Sequence, residues 1–61
     1  MQINLRAARV NANLTQEEAA KHLGISKGTL ASYESNRTKP NIEMAKKMAL
    51  LYGVTVDDII F

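Results

Sequence analysis

From Ser26 to Pro40 the chain reads SKGTLASYESNRTKP, and its charges are unevenly spread. Three cations, Lys27, Arg37 and Lys39, stand against one acid, Glu34, with Thr29, Ser32 and Asn36 among them. Such a set donates hydrogen bonds to anionic oxygens and to the polar edges of bases. It is poorly equipped to break bonds: no serine or histidine stands in a nucleophile–base pattern, and no glycine-rich phosphate loop exists. His22 has no second ligand at metal spacing and cysteine is absent, so neither a metal nor a cofactor is expected. Glu17 and Glu18 resemble a catalytic acid pair, but in the first turn of a helix the dipole accounts for them. An enzyme is therefore not expected.

These side chains need a scaffold that projects them. Five helical segments account for the chain, and no stretch shows the alternation of a strand. The first runs from about Ile3 to Asn13, with Leu5, Ala8, Arg9 and Ala12 on one face. The second opens on Thr15-Gln16-Glu17-Glu18, a capping box, and buries Ala19, Ala20 and Leu23. Gly24 stops it, because glycine accepts a positive φ without a Cβ clash. Ser26 restarts the chain at once as the N-cap of a third helix, which turns Leu30 and Tyr33 inward and Lys27, Gly28, Ala31 and Ser32 outward. It ends around Ser35–Asn36, asparagine being the next best left-handed cap after glycine. Asn41 caps a fourth helix with the apolar stripe Ile42, Ala45, Met48, Ala49 and Tyr52, closed by Gly53. Thr55-Val56-Asp57-Asp58 reads as the cap of a short fifth helix. Tyr33 and Tyr52 lie on apolar stripes, so both are expected in the core rather than stacked on bases.

A helix stopped at a glycine and immediately restarted is a helix-turn-helix, here over residues 15–35. The break lets the third helix present a free face to a groove, and the major groove of B-DNA, about 12 Å wide, admits one α-helix. Small and polar residues on that face suit such an entry.

The 61 residues allow one domain, spanning 1–61, with a thin margin of stability. A hydrophobic content of 46% is that of a folded protein. The longest apolar run, MALLYGV, falls far short of a membrane span, and the N-terminal residues show no signal-peptide pattern. The absence of cysteine fits a reducing compartment. A net charge of +2 is weak support for nucleic acid by itself. Lys21, Lys46 and Lys47 are read as solvated surface.

Residues 14–40, LTQEEAAKHLGISKGTLASYESNRTKP, resemble the phage repressor and Cro family of helix-turn-helix regulators. LRAAR at 5–9 and IEMAKKMALLYGVTVDDI at 42–59 extend the likeness over nearly the whole chain. Asn36 departs from it, standing where the family usually has glycine. The resemblance implies an all-α, compact five-helix, lambda-repressor-like domain. It also implies roles. Gln16 would bind a phosphate and brace the third helix. Lys27, Gly28 and Ser32 would face bases, with Thr29 near them touching base or backbone. Asn36, Arg37 and Lys39 would hold phosphates. Arg9, otherwise an odd residue on a core face, would pair with Glu34. The implied protein is a cytoplasmic, bacterial or phage-encoded regulator on a double-stranded DNA operator, repressing by promoter occlusion. The tail itself, with five apolar residues among its last eight, exceeds what one short helix can hide, so a homodimer formed mainly on DNA is expected, with part of Ile59, Ile60 and Phe61 at the symmetric contact. The competing reading is a protein-interaction module, an antitoxin or antirepressor, on the same fold. A third, a structural fragment with no function of its own, predicts no DNA preference.

Overall fold

The computed structural model describes residues 2–61. Its elements run β1 (Ile3–Asn4), α1 (Leu5–Asn11), α2 (Gln16–Leu23), α3 (Lys27–Glu34), α4 (Ile42–Tyr52), a single 3₁₀ turn (Val56–Asp58) and β2 (Ile59–Ile60). Four α-helices are present among the described residues rather than five. The fifth expected helix is replaced by the 3₁₀ turn and by β2, which pairs in parallel with β1 in the register Ile3–Ile59 and Asn4–Ile60. The reason lies in the side chains. Val54, Thr55, Val56, Ile59 and Ile60 are β-branched, and their restricted χ1 disfavours a helix and favours a pleated strand. Ile3 is β-branched too, so the chain enters as a strand and α1 begins later than the periodicity suggests. Asn4 is its N-cap, its side-chain oxygen accepting from the Ala7 amide at 2.7 Å.

The remaining boundaries follow from caps. Thr15 and Glu18 exchange hydrogen bonds, the Thr15 hydroxyl accepting from the Glu18 amide at 3.1 Å and the Glu18 carboxylate from the Thr15 amide at 2.9 Å. Ser26 caps α3 through the Thr29 amide, and Asn41 caps α4 through the Met44 amide. Each α-helix leaves through a left-handed residue: Asn13 (φ 61°), Gly24 (72°), Asn36 (63°) and Gly53 (73°).

The core lies where α1, α2, α3 and α4 meet. Leu5, Ala8, Ala19, Ala20, Leu23, Leu30, Met48, Ala49, Tyr52 and Ile59 are all buried there. Ala19 and Ala20 lack side-chain bulk, which lets the neighbouring helices approach α2 closely. Ile25 and Tyr33 pack against this core from either end of α3, so its inward face is anchored along its length. Ile42, expected on the stripe of α4, is instead exposed at the helix start. Lys47, expected in solvent, donates to the Leu23 carbonyl at 3.1 Å, supplying a partner to a free carbonyl at the end of α2.

Candidate nucleic-acid interface

α3 is positioned at both ends. At its start the Ser26 hydroxyl accepts from the Thr29 amide at 3.0 Å and shares a hydrogen bond with the Thr29 hydroxyl at 2.8 Å. Thr29 is therefore tied into the cap and only partly exposed. Lys27 and Gly28 are fully on the surface, while Ala31 and Ser32 are half-buried along the next turn. A Cβ built on Gly28 would meet only the Ser26 hydroxyl, at 3.9 Å. The fold itself has room for a side chain there. Glycine in a helix interior costs about 0.8–1.0 kcal/mol relative to alanine, and even in the first turn of α3 it is a residue that the packing does not require.

At the other end the loop folds back onto α3. The Ser32 carbonyl accepts from the Arg37 amide at 3.0 Å, the Thr38 amide at 3.4 Å and the Ser35 hydroxyl at 3.2 Å. The left-handed Asn36 makes this reversal possible. Asn36, Arg37 and Lys39 are exposed beyond the C-terminus of α3. The side chains of Lys27, Arg37 and Lys39 engage no hydrogen bond or ion pair among the described residues.

Behind this face lies a buried polar network. Arg9 Nε donates to Glu34 Oε2 at 2.7 Å and Nη2 to Glu34 Oε1 at 3.3 Å, a bidentate pair joining α1 to the end of α3. Arg9 Nη1 donates to the Leu14 carbonyl at 2.8 Å, and Gln16 Nε2 donates to Glu34 Oε1 at 3.0 Å. One carboxylate thus gathers α1, the start of α2 and α3. The Arg9 and Glu34 side chains are only 10% and 5% exposed. Beside them Tyr52 has its hydroxyl buried without a hydrogen-bond partner. Burial, and then the negative charge of Glu34, push the Tyr52 phenol up to about 12.

The structure brings Gln16, Lys27, Arg9 and Glu34 to one open groove of about 600 Å³. Arg6, which the sequence did not single out, lines the same groove from α1. Its helical position on the solvent side of α1 was readable, but not that this side opens toward α3. The C-terminal residues separate: Ile59 is buried in the core of its own chain, Ile60 is 52% exposed and Phe61 packs partly against the core. Ile59 is thereby spent inside the domain and is not free for contact with another copy. Among the described residues no group of three or more His, Cys, Asp or Glu is placed to hold a metal. No helix among them is long and apolar enough to cross a membrane.

A family model described as helix-turn-helix matches residues 5–59. The chain belongs to the phage repressor and Cro-like helix-turn-helix family. Its relatives include an uncharacterised helix-turn-helix transcriptional regulator of Methanocaldococcus jannaschii, 39% identical over 59 residues that cover 97% of this chain and 89% of the relative. The cryptic phage CTXphi transcriptional repressor RstR of Vibrio cholerae is 36% identical over 56 residues, 92% of this chain and 50% of the repressor. The transcriptional activator BcrR of Enterococcus faecalis is 34% identical over 56 residues, 92% of this chain and 28% of the activator. The chain thus spans half or less of the two relatives whose direction of regulation is named. No solved structure matches it significantly. The family and the names of these relatives point to a DNA-binding, non-enzymatic helix-turn-helix regulator of transcription.

Proposed function

We propose that this chain is a sequence-specific repressor that lays α3 in the major groove of a two-fold operator, binding as a dimer in the cytoplasm. The observation that carries this reading is the outward start of α3, where exposed Lys27 stands beside a helical glycine whose only near neighbour, the Ser26 hydroxyl, leaves room above it. Lys27 reaches guanine O6 and N7, and Gly28 leaves room for a thymine methyl or a close backbone. Ser32, one turn further on, adapts to a donor or an acceptor, and Thr29 contributes beside the cap. Asn36, Arg37, Lys39 and Gln16 hold phosphates on either side, fixing register without reading sequence. Repression is favoured over activation because occlusion needs only occupancy, whereas activation needs a second surface for the polymerase.

Selection of bound duplexes from a random pool tests the reading, followed by titration of the selected site in rising salt. A two-fold site with half-sites about 34 Å apart is expected. Lys27→Ala then costs about 1–3 kcal/mol on that site and relaxes preference at one position, while Arg37→Ala weakens all sequences alike and lowers the salt slope by roughly one. A pool with no enriched sequence overturns the proposal, and an equal loss for Lys27→Ala on every sequence returns that lysine to a phosphate role.

A further inference from the structure

The groove between α1, the start of α2 and α3 holds more positive charge than the base-reading face uses. Arg6, Arg9 and Lys27 line it against one carboxylate, Glu34. Arg9 and Glu34 neutralise each other. Arg6 is exposed and makes no hydrogen bond or ion pair among the described residues, so its guanidinium stands uncommitted on the α1 bank. Gln16 Nε2 carries two N–H groups and gives one to Glu34, leaving the other at the groove wall. Because a carboxylate only accepts, this contact also sets which end of the Gln16 amide faces Glu34.

The geometry points to Arg6 as a phosphate-binding residue: the groove seats one backbone phosphodiester of the operator, with Arg6 donating from α1 and Gln16 from α2. The inference rests on the DNA-binding reading above and extends it to a helix outside the helix-turn-helix. A planar guanidinium presents paired donors matching two phosphate oxygens, and this bank of the groove offers no competing unpaired acid. Lys27, on the α3 bank, remains directed to the bases. The contact would fix how far the whole domain rolls about α3, since α1 would meet the same strand from a different side.

The test uses the full chain on its selected operator, with a set of duplexes each carrying one uncharged methylphosphonate. Arg6→Gln is expected to weaken binding several-fold and to lower the salt slope by about one. One methylphosphonate position should weaken the unaltered protein clearly more than it weakens Arg6→Gln, which keeps only the Gln16 contact there, and this coupling ties that phosphate to that side chain. Arg6→Lys keeps the charge and should retain the salt slope, and it supplies the comparison should Arg6→Gln melt early. Equal losses at every methylphosphonate for both proteins, with an unchanged slope, overturn the Arg6 assignment alone. An unaltered protein with no salt-dependent binding to any duplex overturns the DNA-binding reading, and this inference with it.

Discussion

Glu34 serves two side chains at once, Arg9 and Gln16. Its Oε1 accepts from both Arg9 Nη2 and Gln16 Nε2. Glu34→Gln keeps the shape but removes the charge and offers one acceptor oxygen where two are needed. Leaving a buried cation uncompensated costs about 3–5 kcal/mol. In a domain of this size each kcal/mol moves the Tm by about 4–8 °C, so a fall of more than roughly 10 °C is expected by thermal melting. An unchanged Tm would remove the network from the account of stability. Gly28 works in the opposite sense. The Cβ of Gly28→Ala would meet only the Ser26 hydroxyl, at an ordinary contact distance of 3.9 Å. Better helix propensity should raise the Tm, by less than the about 4–8 °C of a mid-helix site because Gly28 is the second residue of α3. The same methyl should weaken operator binding, measured by fluorescence anisotropy. A stabilised variant with undiminished affinity would mean that nothing approaches α3 closely at this position.

Among the elements, the helices were legible in the sequence and the strands were not. Thr15 with Glu18, Ser26, Asn41, Gly24 and Gly53 each mark a boundary by chemistry acting within three or four residues. The strands are two residues long, and each exists only because the other lies beside it; a window moved along the chain carries no trace of such a pairing. Asn4 is hidden as a cap because the apolar period already starts at Ile3. Exposure of Lys27, Gly28, Arg37 and Lys39 followed from helical period and loop position, whereas Arg6 needed the angle between two helices. The α2 cap also gives the domain a response to acid. Hydrogen bonding to Thr15 holds the Glu18 carboxyl below its ordinary value of 4.5. A carboxylate lowered by folding contributes stability that is full above its unfolded value and lost as pH falls through the folded one. Glu18→Gln can still cap but carries no charge. Its Tm should lie below that of the parent at neutral pH, and the gap should close as melts are repeated below pH 4.5. A gap that persists in acid would show that the hydrogen bond's shape, not its charge, matters.

At the scale of the whole molecule, the proposed dimer turns on a small surface. Ile59 is committed to the core, so the proposed symmetric contact narrows to Ile60 with the rim of Phe61. So small a patch supports only a weak free dimer, which two adjacent half-sites would bring together. Ile60→Lys should leave the melting of the monomer nearly unchanged, because the side chain is already half in water. It should abolish cooperative filling of paired half-sites in a footprinting titration. Undiminished cooperativity would place the dimer contact elsewhere on the chain.

The pairing of Ile3 with Ile59 joins points more than fifty residues apart. Bringing such distant segments together carries a large loop-closure entropy, about 3–4 kcal/mol by the logarithmic law of chain closure. Two-residue strands return little for it. The folding reaction should therefore assemble the helices first and shut the seam last, and opening should run in reverse. In heavy water the amides of the seam would exchange their hydrogens ahead of those around Leu30 and Met48, where the chain is wholly enclosed. The domain then behaves as a helical body fastened by a latch, whose closing ties the first residues of α1 to the end of the chain.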